Sequence, residues 1–67
     1  MNEYRYEGPV RDMYGGMRNS RWVNNTIAVS KEKALSNLTY RYSVYYKCRI
    51  YDVKLNPKYL TLVREGV

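Results

Sequence analysis

The 67-residue sequence contains no histidine, no phenylalanine and only one cysteine. Histidine is the usual general base near neutral pH and a common metal ligand, so its absence argues against most acid–base and metal-dependent chemistry. Cys48 has no second cysteine with which to form an intramolecular disulfide, and no histidine to activate its thiol. The sequence therefore predicts a protein that is not an enzyme, with no catalytic residues, no cofactor and no metal site.

Acidic residues and long apolar runs are also scarce. Six Asp and Glu stand against twelve Lys and Arg, which gives a formal net charge of +6. An excess of this sign favours nucleic acid, an acidic protein surface or an anionic lipid face as partner; the alternative is that it only keeps a small domain soluble. The longest apolar stretches are a few residues, far short of the roughly 20 that a membrane span needs. With one cysteine and no signal peptide, we expect a cytoplasmic protein that does not enter the membrane.

Tyrosine is the residue type that stands out: there are nine, together with one tryptophan. Tyrosine combines a flat apolar face with a hydroxyl at low side-chain entropy, which suits contact surfaces. A chain of this length forms one domain, residues 1–67, and its core is marginal. Because no disulfide or metal can reinforce that core, a bound partner or a homodimer is physically reasonable.

The first half of the chain has the pattern of two strands. Residues 4–10 alternate aromatic and charged side chains, and Gly8-Pro9 predicts either a bulge or an edge strand there. Gly15-Gly16 predicts a loop that runs to about residue 20. Residues 21–29 predict the second strand, with Asn24-Asn25 as a bulge or a turn inside it.

A helix is predicted over residues 31–46, preceded by Ser30 as its N-cap. Its apolar face is formed by Ala34, Leu35, Leu38, Tyr42, Tyr45 and Tyr46. Residues 49–55 then alternate as a third strand. Residues 59–64 are rich in strand formers. After the turn signal Asn56-Pro57-Lys58 they could pair back as a hairpin, or form an extended tail.

These elements predict an α+β fold: a small antiparallel sheet with one helix packed on one face, in the order ββαβ(β). One face of such a sheet stays free for solvent or a partner. The predicted core consists of Tyr6, Val10, Ile27, Val29, Ala34, Leu38, Tyr42, Val53 and Leu55.

Two surfaces are candidates for binding. The first is a protein-binding surface, because Trp, Tyr and Arg dominate interface energetics and the outer side of the helix carries an apolar pair rimmed by lysine. It comprises the exposed sheet face with Arg21, Trp22, Tyr40, Val44 and Lys47. The alternative is a nucleic-acid surface in which cations contact phosphates, with tyrosines available to stack on bases. It comprises Arg21, Lys33, Arg41, Lys47 and Arg49.

Several short motifs add a resemblance: Tyr6-Glu7-Gly8-Pro9-Val10, Ala28-Val29-Ser30, Lys33-Ala34 and Asn37-Leu38-Thr39-Tyr40-Arg41. Through them the chain resembles small, mostly uncharacterised proteins of phages and integrative elements of Gram-positive bacteria. The resemblance implies a ββαβ-type fold, a bacterial host and a host or phage protein as partner, and it supplies no activity. The topology is also similar to the ββαβ module of an archaeal ribosomal protein, which contacts RNA, and to compact phage inhibitors that bind a host enzyme.

Overall fold

A ten-residue strand, β1 (Asn2–Arg11), runs through the middle of the sheet in the computed structural model, which describes all 67 residues. Strand β2 (Met17–Ala28) pairs with one side of β1. Strands β3 (Lys54–Leu55) and β4 (Leu60–Arg64) pair with the other side, and every pairing is antiparallel. The helix α1 (Lys31–Tyr46) packs across one face. The predicted α+β class and the order ββαβ(β) are confirmed.

The turn between β1 and β2 is organised by Asp12. Its Oδ1 accepts hydrogen bonds of 2.8 Å from the backbone N–H groups of Tyr14 and Gly16, and Gly15 adopts the left-handed φ of 85°. The loop predicted as far as residue 20 is therefore wrong, because this compact turn lets β2 begin at Met17. Asp12 therefore stabilises a short turn at the place where Gly15-Gly16 alone predicted a longer loop.

Only one of the two predicted irregularities is a bulge. The β1–β2 register shifts between Gly8 and Val10, as expected at a proline that cannot donate to the ladder. Asn24 and Asn25, in contrast, pair regularly with β1, so the bulge or turn predicted there is wrong.

The faces of β2 are the reverse of the prediction. Trp22, Thr26 and Ala28 point toward the helix and are buried, whereas Ile27 is 48% and Val29 is 67% exposed. Ile27 and Val29 are thus corrected from core to surface. Side chains alternate between the two faces of a strand. An error of one residue in the predicted phase therefore assigns every side chain of β2 to the wrong face.

The C-terminal third also departs from the prediction. Residues Ile50–Asp52 form a 3-10 turn in place of a strand, and β3 is only two residues long. A second 3-10 turn, Pro57–Tyr59, follows, after which β4 continues along β1. The predicted hairpin is wrong, since β3 and β4 pair with opposite ends of β1 and not with each other.

The buried core lies between α1 and the sheet. Six predicted members are buried, Leu55 is partly buried, and Tyr4, Trp22, Ala28 and Leu60 join them. The fully buried Tyr6 is at the centre: its hydroxyl donates to the carbonyl of Pro9 at 2.7 Å and accepts from the N–H of Asn56 at 3.1 Å. Burial raises the pKa of the Tyr6 phenol. One hydroxyl therefore ties the bulge of β1 to the connection between β3 and β4.

Candidate partner-binding surface on the helix

The helix is held at both ends by local hydrogen bonds. The Ser30 hydroxyl accepts from the N–H of Lys33 at 3.2 Å, which confirms the predicted N-cap. At the other end Lys47 takes a left-handed conformation, with φ 54° and ψ 47°. The N–H of Cys48 then bonds the carbonyl of Ser43 at 3.0 Å. A helix capped in this way presents its outer side chains on a rigid support.

The outer side of α1 carries an exposed apolar patch, formed by Tyr40, Val44 and Tyr45 together with Ile50 from the 3-10 turn. These four side chains are between 47% and 75% exposed. They line one shallow depression of about 670 Å³, whose remaining wall is polar: Ser36, Asn37 and Arg41. We call the four residues the helix patch. Tyr40 and Val44, predicted as binding residues, therefore do lie together.

Tyr45 and Tyr46 are corrected from the inner face of the helix to its surface, since both are exposed. Both side chains border a depression with Trp22 and Asn24 of β2, which is the edge strand, so an inward helical phase does not bury them. They are nonetheless connected to the core by ring contacts. Tyr45 lies 4.8 Å from Tyr46, Tyr46 4.3 Å from Tyr42, and Tyr42 5.0 Å from the indole of Trp22, measured between ring centroids. This aromatic row supports the exposed end of the helix patch from beneath.

Charge is divided unequally between the two sides of the molecule. On the sheet face opposite the helix, Glu7 pairs with Arg5 and Arg21, and Glu3 pairs with Arg64. Near the helix, only Asp52 forms an ion pair, with Arg18 at 3.1 Å. The cations around the helix patch form no ion pairs: Lys33, Arg41, Lys47 and Arg49. Part of the unneutralised positive charge of the protein therefore lies on or next to the helix that carries the patch, where Lys31 adds to it; the rest is on Arg11, Lys54 and Lys58.

The other predicted partner-binding residues are dispersed. Trp22 is 8% exposed and belongs to the core, so it is corrected from a surface anchor to a packing residue. Arg21 projects from the opposite face of the sheet and bonds Glu7. Lys47 is exposed at the end of α1, beside the helix patch. The structure adds Tyr45 and Ile50, which helical periodicity assigned elsewhere or left unassigned.

The residues of the alternative nucleic-acid surface do not form one basic surface either. Lys33, Arg41 and Lys47 are on the helix, and Arg49 follows it, whereas Arg21 lies across the sheet. Arg41 is already bonded to the neutral groups of β2, at 2.6 Å to Asn24 Oδ1 and 2.5 Å to the carbonyl of Asn25. Arg49 donates to the Tyr51 hydroxyl at 2.6 Å. A phosphate chain would therefore meet only Lys33 and Lys47 without displacing an existing side-chain contact.

Acidification is expected to weaken the sheet face opposite the helix. The bond and charge of Arg21 hold the pKa of Glu7 below its ordinary value of 4.5, and the bond from Asn25, with Arg64, does the same for Glu3. A carboxylate with a lowered folded-state pKa stabilises the fold above its unfolded pKa, and that contribution is lost as pH falls through the folded one. The melting temperature should therefore decrease below a pH of about 4.5.

Glu7→Gln should make the decrease in melting temperature between pH 7 and pH 3 smaller than in the natural protein, as measured by thermal denaturation. Glu65→Gln is the matched control, because it removes a carboxylate outside these pairs. Equal acid profiles for Glu7→Gln, Glu65→Gln and the natural protein would contradict the assignment.

No group of three or more Asp, Glu or Cys side chains is arranged to hold a metal ion. None of the helical segments has the length and apolar character required to cross a bilayer. Comparison of this chain with protein-family models, curated proteins and solved structures found no match.

Proposed function

We propose that this chain is a non-enzymatic accessory protein of a phage or mobile element, which acts in a bacterial host by binding a protein. Its binding surface is the helix patch, and its partner presents an apolar centre with acidic residues around it. The phage setting is supported by the motif resemblance. The binding surface is supported by one observation: four exposed apolar side chains share a depression that Arg41 lines, and further cations without ion pairs are on or next to the same helix.

The exposed area argues for a contact surface because such side chains are otherwise costly to leave in water. Single exposed apolar residues are ordinary, but here two tyrosines and two aliphatic residues are contiguous. Aromatic centres with a polar rim are typical of the energetically important part of interfaces. The basic rim adds a preference for acidic partners, which steers association and disfavours basic ones.

Protein is favoured over nucleic acid by the arrangement of the same residues. A phosphate-binding surface needs cations along a continuous track, and Arg21 and Arg41 are engaged elsewhere. The helix patch, in contrast, is apolar at its centre. The alternative function is nucleic-acid binding, in which tyrosines stack on bases and Lys33, Lys47 and Arg49 contact phosphates.

Alanine at Tyr40 and Val44 should weaken binding strongly without lowering the melting temperature. Both side chains are largely exposed, so their removal creates no cavity in the fold. A central interface tyrosine contributes about 2 kcal/mol or more, which corresponds to roughly 30-fold in Kd. Val63→Ala is the matched control, since Val63 is 50% exposed on β4.

The measurement is a pull-down from nuclease-treated bacterial lysate at low and moderate salt, followed by titration of the captured protein. A discrete acidic protein retained by the natural chain and by Val63→Ala, and lost with Tyr40→Ala/Val44→Ala, would support the proposal. Capture that disappears with nuclease or falls steeply with salt would instead favour the nucleic-acid function.

A further inference from the structure

Strand β2 forms one edge of the sheet, and its outer side pairs with nothing. At twelve residues it is the longest strand in the molecule. The row of unpaired backbone groups along such an edge is a template on which a further strand can add. Natural proteins usually prevent this by shortening the edge or placing charges on it.

The stretch of β2 next to the helix has no such protection in its own sequence. Residues 22–28 contain no charged residue, no proline and no glycine. Two of their apolar side chains are exposed on the sheet face opposite the helix, Val23 at 37% and Ile27 at 48%. Uncharged segments of this length and β-propensity are those that pair with copies of themselves.

The pattern is self-complementary. If two copies of β2 pair antiparallel about a two-fold axis through Asn25, Val23 of each copy lies opposite Ile27 of the other. Asn25 then lies opposite its own copy, and no like charges meet within residues 22–28. The occupant that fits this edge is therefore a second copy of the chain, in a sheet continuous across both.

Two charged side chains from outside β2 lie against this position. Glu3 of β1 accepts a hydrogen bond at Oε2 from the Asn25 side chain at 2.9 Å, and the other is Arg41. Arg41, on the helix, donates from Nη1 to Asn24 Oδ1 at 2.6 Å and to the carbonyl of Asn25 at 2.5 Å. Its Nη2 lies 3.4 Å from Thr26 Oγ1. Because Arg41 reaches the Asn25 carbonyl from the helix, it occupies an acceptor at the centre of the open edge. In a two-fold pair the guanidinium groups of both copies would meet near the axis, where like charges repel.

We propose that the outer edge of β2 is a docking surface for a second copy of this chain, and that Arg41 keeps it closed. Arg41 acts in two ways: its hydrogen bond competes for the Asn25 carbonyl, and its charge opposes the approach of a second Arg41. The inference rests on the sheet edge. Arg41 also lines the depression of the helix patch, whereas Val23 does not, so a substitution at Val23 separates the two surfaces.

Sedimentation equilibrium over a range of protein concentrations tests this. Arg41→Ala should self-associate into dimers at least about tenfold more tightly than the natural chain, because the competing bond and the repulsion are both removed. Adding Val23→Lys to Arg41→Ala should restore the monomer by placing a charge at the pairing edge. Adding Val63→Lys instead should not, since Val63 is similarly exposed on β4, away from β2.

Arg41→Gln guards against an effect of Arg41→Ala on folding, because it retains a hydrogen-bond donor while removing the charge. It should also associate more tightly than the natural chain. In the dimer, the backbone amides of Val23, Asn25 and Ile27 should become protected against hydrogen exchange. The proposal is overturned if both Arg41 variants remain folded monomers, or if they associate in a way that Val23→Lys does not reverse.

Discussion

Tyr6→Ala is expected to lower the free energy of unfolding by about 3–5 kcal/mol, the usual cost of truncating a large core aromatic side chain. A core of this size supplies only about 3–5 kcal/mol in total, so the variant should be largely unfolded at 25 °C. The reason is the position of Tyr6: it is fully buried and lies 6.1 Å from Trp22 and 6.3 Å from Tyr59 between ring centroids. Circular dichroism and urea denaturation measure the loss.

Tyr6→Phe separates the ring from the hydroxyl. It should cost about 1–3 kcal/mol, because the carbonyl of Pro9 and the N–H of Asn56 each lose their partner. Tyr4→Phe is the matched control: Tyr4 is also buried, but its hydroxyl only accepts a 3.4 Å bond from the Asn2 side chain. Equal denaturation midpoints for the two phenylalanine variants would show that the Tyr6 hydroxyl does not hold β1 to the connection between β3 and β4.

Gly8→Ala is expected to lower the free energy of unfolding by about 1–3 kcal/mol through overpacking. A Cβ atom at Gly8 would lie 2.5 Å from Cγ and 2.8 Å from Cβ of Tyr59. These are atoms close to the backbone, which cannot swing away as the end of a flexible side chain can. The 3-10 turn Pro57–Tyr59 would have to move off β1 and take the start of β4 with it.

A double-mutant cycle with Tyr59→Ala tests this cause. When the ring is removed, the cost of Gly8→Ala should fall, because the 2.5 Å contact with Cγ disappears, but part of the cost should remain, because the 2.8 Å contact with the Tyr59 Cβ persists in alanine. A Gly8→Ala cost that is the same in both backgrounds would show that the contact with the Tyr59 ring is not its cause. Urea denaturation of all four proteins provides the measurement.

The helix was predictable because its signals are local. Ser30, a continuous stretch without glycine or proline, and inward positions at Ala34, Leu38 and Tyr42 all lie within one segment. The patch residues Tyr40 and Val44 follow from the same phase, since they are opposite the buried side. Tyr45 shares the inward phase and is exposed all the same, because burial depends on how far the sheet extends beneath the helix.

Some of the candidate binding residues were likewise predictable from local sequence, and the others required the tertiary structure. Helical periodicity identified an exposed pair, but it could not show that Ile50 completes the depression, since Ile50 arrives from a separate 3-10 turn. Composition also could not decide the role of Trp22. Tryptophan is frequent in interfaces, but a chain without phenylalanine also needs large aromatic side chains in its core. The sequence could not show which lysines and arginines are free to bind a partner. Whether each one forms an ion pair depends on acidic residues that are distant in sequence.

What the sequence by itself determined is the kind and order of the elements: two strands, a capped helix, and an extended C-terminal segment interrupted at Pro57. Only the tertiary structure decided the face of β2 that is buried and the strand that β3 and β4 pair with. The physical reason is that helical hydrogen bonds join residues four apart, whereas strand register depends on a distant partner. Here that partner is β1, which pairs with every other strand and so sets the inward phase of the whole sheet.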